Sequence, residues 1–520
     1  MLHLEVPLLP RDIYRATGNQ DDEILHGCQR HWIAEAIRYT HREAVEELFT
    51  DHDPTTTGQM RKRVVLTDWP ELPSIKRLPP RKTPHYGLGP IMENEGTISG
   101  TYSVVDNIFK TQLGYNRTED FIGWLRLVYG DQKTVSLICA VLKEREEATL
   151  PYDKCDWLLA IPGLFHWRTN YMDMIHDTYS GSEYAAVEST LYHNKNCLGC
   201  VQGHKSPFHH KEEVATRAFD ARVTALFYHL LPPGVSSGKP DQIDNYIKKL
   251  SRTTFHRKVE EIRQYIFVAS EQSPNKSKPI DDEFSAHAKF LQQMETYKTL
   301  KYAIKHAHVG LIKRVLARCC LLFHGSNKSK YAFLSLYMTW LTQTNAASKE
   351  LQDAILANSL VNLRGASDSW FEMDRLNEFF NLQMKDLMVT RRSSTIDTAE
   401  LFRRTALTAS YCTDLKVAIE AALGEHSNGR HQIKDASREV RHLAHQIAVS
   451  RSITKHTRGR SSPFQPIDIL QRGVERLNDS IKRFNCGVVK GQWEDDLDNA
   501  TTTPIASLND FLARDDDSDY

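Results

Sequence analysis

Two aspartates stand at the ends of short runs that are rich in β-branched and aromatic residues. Asp106 ends the run TYSVVD at residues 101–106, and Asp131 ends the run LRLVYGD at residues 125–131. A strand end holds its side chain at a rigid edge, and two carboxylates so placed can share divalent metal ions for phosphoryl transfer. Strand-terminal aspartates also cap turns, which is the commoner reason for Asp there. The sequence leaves both roles open.

A second group of candidate ligands lies in the segment YHNKNCLGCVQGH. The spacing H-x3-C-x2-C-x3-H is formed by His193, Cys197, Cys200 and His204. Thiolates and imidazoles together suit tetrahedral zinc. Most zinc modules separate their two ligand pairs by about a dozen residues, whereas here the cysteine pair lies inside the histidine pair. A zinc site and a histidine-rich surface loop are therefore both open.

A stripe of polar residues is predicted on a helix at residues 369–390. The stripe consists of Asp374, Glu378, Asn381 and Lys385, at steps of four, three and four. It either faces solvent or points into a buried polar site. The sequence contains no phosphate-binding glycine loop, no nucleophile elbow and no H-E-x-x-H helix, so familiar nucleotide-driven and hydrolase chemistry has no support.

The elements that must position these residues include a small α/β unit. The β-like run at 125–131 is followed by a helical pattern at 134–147 and by a third apolar run, WLLAIP, at 157–162. Strand, helix and strand in this order form a parallel pair. Most of the remaining chain has apolar residues three or four apart, which predicts helices at 298–323, 331–341, 350–362, 369–390 and 398–423. The predicted class is mostly α with a small α/β core.

Composition and charge narrow the classes of partner. Sixty-six basic residues balance sixty-six acidic ones among 520 residues, so any nucleic-acid contact needs a local patch such as the basic stretch at 438–460. The N-terminus lacks a signal sequence, and no apolar run has the roughly 20 residues of a membrane span. Nine scattered cysteines fit reduced thiols. We expect an intracellular protein, in the nucleus or cytoplasm, with no membrane contact.

Proline content and charge divide the chain into five regions. Six prolines between residues 69 and 90 predict a linker or an extended arm, and nine acidic residues against one basic residue from Glu494 onward predict a disordered tail. The predicted regions are an N-terminal helical region at 1–68, a Pro-rich linker at 69–95, the main domain at 96–425, a C-terminal helical region at 426–493 and an acidic tail at 494–520.

Several blocks of sequence, in this order, resemble an uncharacterised family. The blocks are VVDN at 104–107, LVYGDQKT at 127–134, IPGLFHWRTNYMDMI at 161–175, FHGSNKSKYAFLSL at 323–336 and NSLVNLRGASDSWFEMDRLNEFFNLQMK at 358–385. The family is a domain of unknown function that is expanded in fungal genomes and often found near mobile elements. The resemblance covers about residues 100–425.

The block order of that family looks like that of ribonuclease-H-like transposases, which use carboxylates to hold two Mg²⁺ ions. By this likeness Asp106 is the first catalytic carboxylate, Asp131 the second and Glu378 the third, and His166 lies beside the metal site. The resemblance thus implies a ribonuclease-H-like core with an added helical domain, and a nucleic-acid substrate.

Two features of this chain depart from that pattern. Only twenty-four residues lie between Asp106 and Asp131, whereas a complete core needs on the order of 40 for its further strands and helix. The family usually has Gly-Asp before a Val-Gly pair, and this chain has Ala307 and His308 there. We therefore expect a degenerate core in a non-catalytic, transposase-derived scaffold or binding protein with a nucleic-acid or protein partner. A metal-dependent nuclease and a zinc-stabilised interaction module are the alternatives.

Overall fold

A computed structural model describes most of the chain. The described residues are 6–17, 22–51, 66–115, 119–183, 187–200, 207–236, 240–268, 281–390 and 435–490. This part is mostly helical, with one parallel and one antiparallel pair of strands. The predicted helix at 398–423 and the predicted acidic tail lie outside the described residues.

The elements follow in chain order. They are α1 (Pro10–Thr17), α2 (Glu23–Thr40), α3 (Arg42–Phe49), α4 (Ile98–Asp106), α5 (Glu119–Ile122), β1 (Arg126–Gly130), α6 (Gln132–Glu144), β2 (Leu158–Pro162), α7 (Leu164–Tyr179), α8 (Leu191–Cys197), α9 (Phe208–His229), α10 (Pro233–Ser236), α11 (Pro240–Lys248), α12 (Arg252–Arg263), α13 (Asp282–Lys305), α14 (Val309–Gly325), α15 (Ser329–Gln343), α16 (Lys349–Asn358), β3 (Leu360–Val361), β4 (Phe371–Glu372), α17 (Met373–Thr390), α18 (Ser437–Ser450) and α19 (Ile469–Lys490).

The parallel pair predicted from the strand, helix and strand pattern is confirmed. β1 and β2 pair in parallel, with Arg126 opposite Leu158 and Gly130 opposite Pro162. β2 is buried along its length, whereas β1 is half-buried. Helix α6 connects the strands and buries Val135, Ile138 and Val141, which are spaced by three residues and so share one face. A two-strand sheet fits the predicted small α/β core but does not establish a ribonuclease-H-like one.

The prediction of a strand at 101–106 is wrong, because this segment forms helix α4. Thr97 caps the helix, since its hydroxyl accepts a hydrogen bond from the Gly100 amide at 3.1 Å. Val105 is buried in a small cluster that also contains Phe121 and Trp157. The Val and Tyr residues that suggested a strand fit a packed helix equally well, because β-propensity depends strongly on context.

The helical run predicted at 298–323 is divided between α13 and α14. Ala307 lies between them in the left-handed region, with φ of 53°. The Ala307 amide donates to the carbonyl of Ile304 at 3.1 Å, and the His308 amide donates to that of Ala303 at 2.8 Å. These two bonds form a Schellman motif, which ends a helix and turns the chain.

The main core lies among the long helices. Its largest fully buried side chains include Trp167 and Tyr171 of α7, Tyr297 of α13 and Trp340 of α15. Trp167 and Tyr171 both contact the Phe323 ring edge-on, at 5.5 and 6.1 Å between centroids. Helix α7 is therefore fixed at the centre of the molecule, which makes its N-terminus a rigid place for functional groups. Among the described residues, no helix is both long and apolar enough to cross a bilayer.

Candidate functional site

The carboxyl ends of the two parallel strands bring two helix N-termini together. The amide of Gly163, just after β2, donates to the carbonyl of Gly130 at the end of β1, at 2.7 Å. Asp131 follows β1 directly and caps α6, because its carboxylate accepts a hydrogen bond from the Thr134 amide at 2.7 Å. Ligands of open α/β sheets bind at this end of parallel strands. The structure thus defines the place where a site is expected.

The N-terminus of α7 is capped by an aspartate from another helix. Gly163 occupies the N-cap position and has no side chain to accept a hydrogen bond. Instead, the carboxylate of Asp374, on α17, accepts from the amide of Phe165 at 3.0 Å and from that of His166 at 3.1 Å. Asp374 is 6% exposed. Its negative charge also stabilises the positive end of the helix dipole.

The same aspartate holds the imidazole of His166. Nδ1 of His166 lies 3.0 Å from Oδ2 of Asp374, and Nε2 lies 4.0 Å from Oε1 of Glu378. Burial lowers the pKa of His166, but the hydrogen bond that its ring donates to Asp374 and the charges of Asp374, Asp131 and Glu378 outweigh it and raise the pKa. Three carboxylates therefore surround this half-buried imidazole. We call Asp131, His166, Asp374 and Glu378 the His166 cluster.

Asp106, the first predicted carboxylate, belongs to a different part of the fold. It ends α4, which packs against α6, and not a strand. The pKa of the neighbouring Tyr152 is raised by burial and then by the charge of Asp106. Asp131, His166 and Glu378 therefore come together, whereas Asp106 lies beside the smaller apolar cluster.

A buried ionic network beneath the His166 cluster fixes the start of α17. The Arg168 guanidinium pairs with Glu372 of β4, which is fully buried. It also donates to Glu212 at 2.9 Å, and Glu212 in turn pairs with Lys301 at 2.9 Å. Burial raises the pKa of Glu212, but Lys301 and Arg168 outweigh it and lower the pKa. Because Glu372 lies two residues before Asp374, this network positions the cap of α7.

The sequence did not indicate that Asp374 and Glu372 act in this way. Asp374 formed part of the predicted polar stripe with Glu378, but its partners on α7 are about two hundred residues away in the chain. One local signal existed, since a helix that begins Pro-Gly-Leu at 162–164 has no capping side chain of its own. The side chain of Lys385, another stripe member, lies outside those described.

Two of the four candidate zinc ligands lie one turn apart on α8. Sγ of Cys197 is 3.4 Å from Nε2 of His193, and Cys200 accepts a hydrogen bond from Arg217 at 3.6 Å. Burial raises the pKa of both thiols. His204 lies outside the described residues. Within the described part of the chain, no group of three or more His, Cys, Asp or Glu side chains is arranged to hold a metal ion.

The predicted basic stretch at 438–460 contains an arginine with a structural role. Arg460 donates two hydrogen bonds of 2.8 Å to the carboxylate of Asp281, which caps α13. The Thr457 amide donates to the same carboxylate at 2.6 Å. Burial raises the pKa of Asp281, but Arg460 and the backbone amides of Thr457 and Phe284 outweigh it and lower the pKa. Arg460 therefore ties the segment after α18 to the start of α13.

Comparison with protein families places the cluster within a known sequence family. Residues 35–432 match the family described as "Family of unknown function (DUF6589)". No curated protein and no solved structure matches the chain. The matched span contains all four residues of the His166 cluster and the whole of the β1–α6–β2–α7 unit.

Proposed function

This chain belongs to the DUF6589 family of unknown function, and from that premise we propose that it is a non-catalytic, transposase-derived scaffold or binding protein. The observation that carries the proposal is the engagement of Asp374. Both of its oxygens accept hydrogen bonds from backbone amides of α7, and Oδ2 also contacts Nδ1 of His166. A carboxylate used in this way serves to join two helices.

The positions of the other carboxylates support the same proposal. One carboxylate oxygen of Asp131 accepts the hydrogen bond that caps α6. Asp106 lies on α4 beside Tyr152. A two-metal site needs carboxylate oxygens from several elements directed at two ions about 4 Å apart. The short separation of Asp106 and Asp131 in sequence and the parallel sheet, which has only two strands, β1 and β2, among the described residues, agree with a reduced core.

A metal-dependent nuclease is the alternative, and one observation favours it. Asp131, His166 and Glu378 lie close enough for both carboxylates to raise the pKa of the imidazole. They lie at the strand ends where α/β enzymes bind their ligands. In such an enzyme Asp131 and Glu378 would hold Mg²⁺, which would supply the activation of water that phosphodiester hydrolysis needs.

A nuclease assay with Mg²⁺ or Mn²⁺ separates the two functions. The test compares wild type with Asp131→Asn and Glu378→Gln, and uses Asp106→Asn as the matched control. Asparagine caps helices about as well as aspartate, so Asp131→Asn keeps α6 capped while it removes the charge. The scaffold proposal predicts no cleavage that depends on Asp131 or Glu378.

A further inference from the structure

The Pro-rich segment at 69–95 is an extended arm fixed to the helical body. The Leu78 amide donates to the carbonyl of Ala307 at 2.9 Å, and the Thr83 amide donates to that of Asn362 at 2.8 Å. The Asn362 amide donates a hydrogen bond of 3.0 Å to the Thr83 hydroxyl. The arm therefore crosses the junction of α13 and α14 and then the loop between β3 and β4. Its exposed side chains are held in place by these backbone contacts.

Basic residues lie on the arm and on the elements that it crosses, and we call them together the basic ridge. The ridge consists of Lys76, Arg77, Arg81, Lys82, Lys305, Lys313, Lys349 and Arg364. Arg77 connects the arm to the α13–α14 junction and to the loop between β3 and β4, because it donates to the carbonyls of His306 and Ser367, each at 3.2 Å. A Cβ atom on Gly365 would lie 3.3 Å from the Lys82 amide nitrogen, which places Arg364 beside the arm.

The acidic residues near the ridge are fewer than the basic ones. Asp353 pairs with Lys76, and Asp368 and Glu350 lie nearby. The eight basic residues outnumber the three acidic residues that ion pairing and charge interactions place beside them. Arg81, Lys82, Lys305 and Arg364 are all exposed. Clustered positive charge of this kind is the electrostatic footprint of a polyanion-binding surface.

The titration of groups beside the ridge agrees with a positive local field. Burial, then Lys305, Arg77 and His308, lowers the pKa of His306 to about 4. Burial, then Lys349, lowers the pKa of Lys313, and Lys76 adds to the effect although Asp353 opposes it. Burial is the largest cause of both shifts, and the neighbouring cations lower both pKa values further.

The arm also presents an aromatic ring to solvent. Tyr86 is 88% exposed, and it follows His85, whose ring stacks on Phe380 with 6.0 Å between centroids. An exposed aromatic ring on the same arm as Arg81 and Lys82 can stack on an unpaired base. This ring favours nucleic acid over an acidic protein as the polyanion.

We propose that the basic ridge binds the phosphate backbone of single-stranded nucleic acid, with Tyr86 stacking on an unpaired base. The proposal rests on the binding role proposed above and names its partner. Phosphate contacts by lysine and arginine are independent of base sequence and weaken as salt displaces them. The ridge therefore supplies affinity, and Tyr86 supplies the preference for unpaired strands.

Fluorescence anisotropy with a labelled single-stranded oligonucleotide and its duplex, over a series of salt concentrations, tests this proposal. The variant is Arg81→Ala/Lys82→Ala, and the matched control is Lys249→Ala/Arg257→Ala, which removes two exposed basic residues at the α11 and α12 surface. We expect the first variant to bind more weakly and its salt slope to fall by about one per lost phosphate contact. The control should match wild type. Tyr86→Ala should weaken single-strand binding by on the order of tenfold and leave duplex binding unchanged.

Several outcomes overturn the proposal. One is the absence of salt-dependent binding, and another is an equal loss of affinity in the ridge and control variants. A third is displacement of the oligonucleotide by polyglutamate at a lower concentration than by unlabelled oligonucleotide, which would assign the ridge to an acidic protein. If the binding assay fails, the scaffold proposal still stands, because that proposal is tested by the nuclease assay. If cleavage requires Asp131, the result of the binding assay is unaffected.

Discussion

Asp374 joins helix α17 to helix α7 through His166. Its carboxylate accepts the backbone amide of His166 at 3.1 Å and lies 3.0 Å from Nδ1 of the same residue. The Phe165 amide adds a further bond of 3.0 Å. One buried carboxylate thus caps a helix, orients an imidazole and connects two elements that are about two hundred residues apart in the chain.

Replacing Asp374 should destabilise the fold strongly. A lost helix cap costs about 1 kcal/mol, and hydrogen bonds to a charged group contribute about 1.5–3 kcal/mol. We therefore expect Asp374→Ala to lower the free energy of unfolding by about 3 kcal/mol, as measured by urea denaturation. Asp374→Asn keeps one acceptor oxygen, so its loss should be smaller. Equal stability of Asp374→Ala and wild type would contradict the role assigned to this carboxylate.

Gly163 should not tolerate any side chain. A Cβ atom there would lie 2.2 Å from Oδ2 of Asp374, so the cap would be displaced. We expect Gly163→Ala to lower the free energy of unfolding by about 2 kcal/mol, through lost capping and overpacking. Gly234→Ala is the matched control, because a Cβ there meets nothing within 4 Å. A similar effect of both substitutions would argue against a specific contact at Gly163.

The contribution of His166 to stability should decrease as pH rises. Its pKa in the folded protein is raised above the ordinary value of 6.5, so the folded state binds the proton more tightly than the unfolded state does. The resulting stabilisation is fully present below pH 6.5 or so and is lost as pH passes through the folded pKa.

The measurement is the difference in unfolding free energy between wild type and His166→Gln at about pH 6 and about pH 8. We expect the difference to be larger at the lower pH. Other histidines, such as the buried His287 and His308, are common to both proteins, so their titration cancels in the difference. A difference that stays constant or grows with pH would contradict the assignment of His166 as the proton-binding group.

The cysteines of the H-x3-C-x2-C-x3-H segment should not carry a structural zinc ion. Burial raises the pKa of Cys197 and Cys200, and Cys200 accepts a hydrogen bond from Arg217. Structural zinc takes four ligands, and among the described residues no group of three or more His, Cys, Asp or Glu side chains is arranged to hold a metal ion. We expect metal analysis to give the same zinc content for wild type and Cys197→Ser. A stoichiometric zinc ion that is lost in the variant would instead establish the zinc-stabilised module.

Local patterns were sufficient to predict some elements of this fold and not others. The runs at 125–131 and 157–162 form β1 and β2. Each run is short and continuously apolar, and a helical pattern separates the two. The run at 101–106 became helix α4, since tertiary packing of Val105 and capping by Thr97 outweighed β-propensity. The break at Ala307 carries no Gly or Pro signal, and so the predicted single helix was wrong there.

The candidate site could be predicted only in part, because some of its contacts depend on tertiary structure and not on local sequence. The strand-end pattern indicates Asp131, the polar stripe indicates Glu378 and the family resemblance adds His166, and the fold brings the three together. The contact of Asp374 with α7 depends on how β4 is anchored by Arg168, which no local spacing reveals. The predicted position of Asp106 beside Asp131 is wrong, because Asp106 ends helix α4 and not a strand.

The metal-dependent nuclease assay tests the central claim most directly. With Mg²⁺ or Mn²⁺ present, we expect wild type, Asp131→Asn, Glu378→Gln and Asp106→Asn to give the same background cleavage of single-stranded and duplex DNA and RNA, because Asp131 and Asp374 serve as helix caps. Metal-dependent cleavage by wild type and Asp106→Asn that is lost in Asp131→Asn and Glu378→Gln would contradict the scaffold account and establish a catalytic site at the His166 cluster.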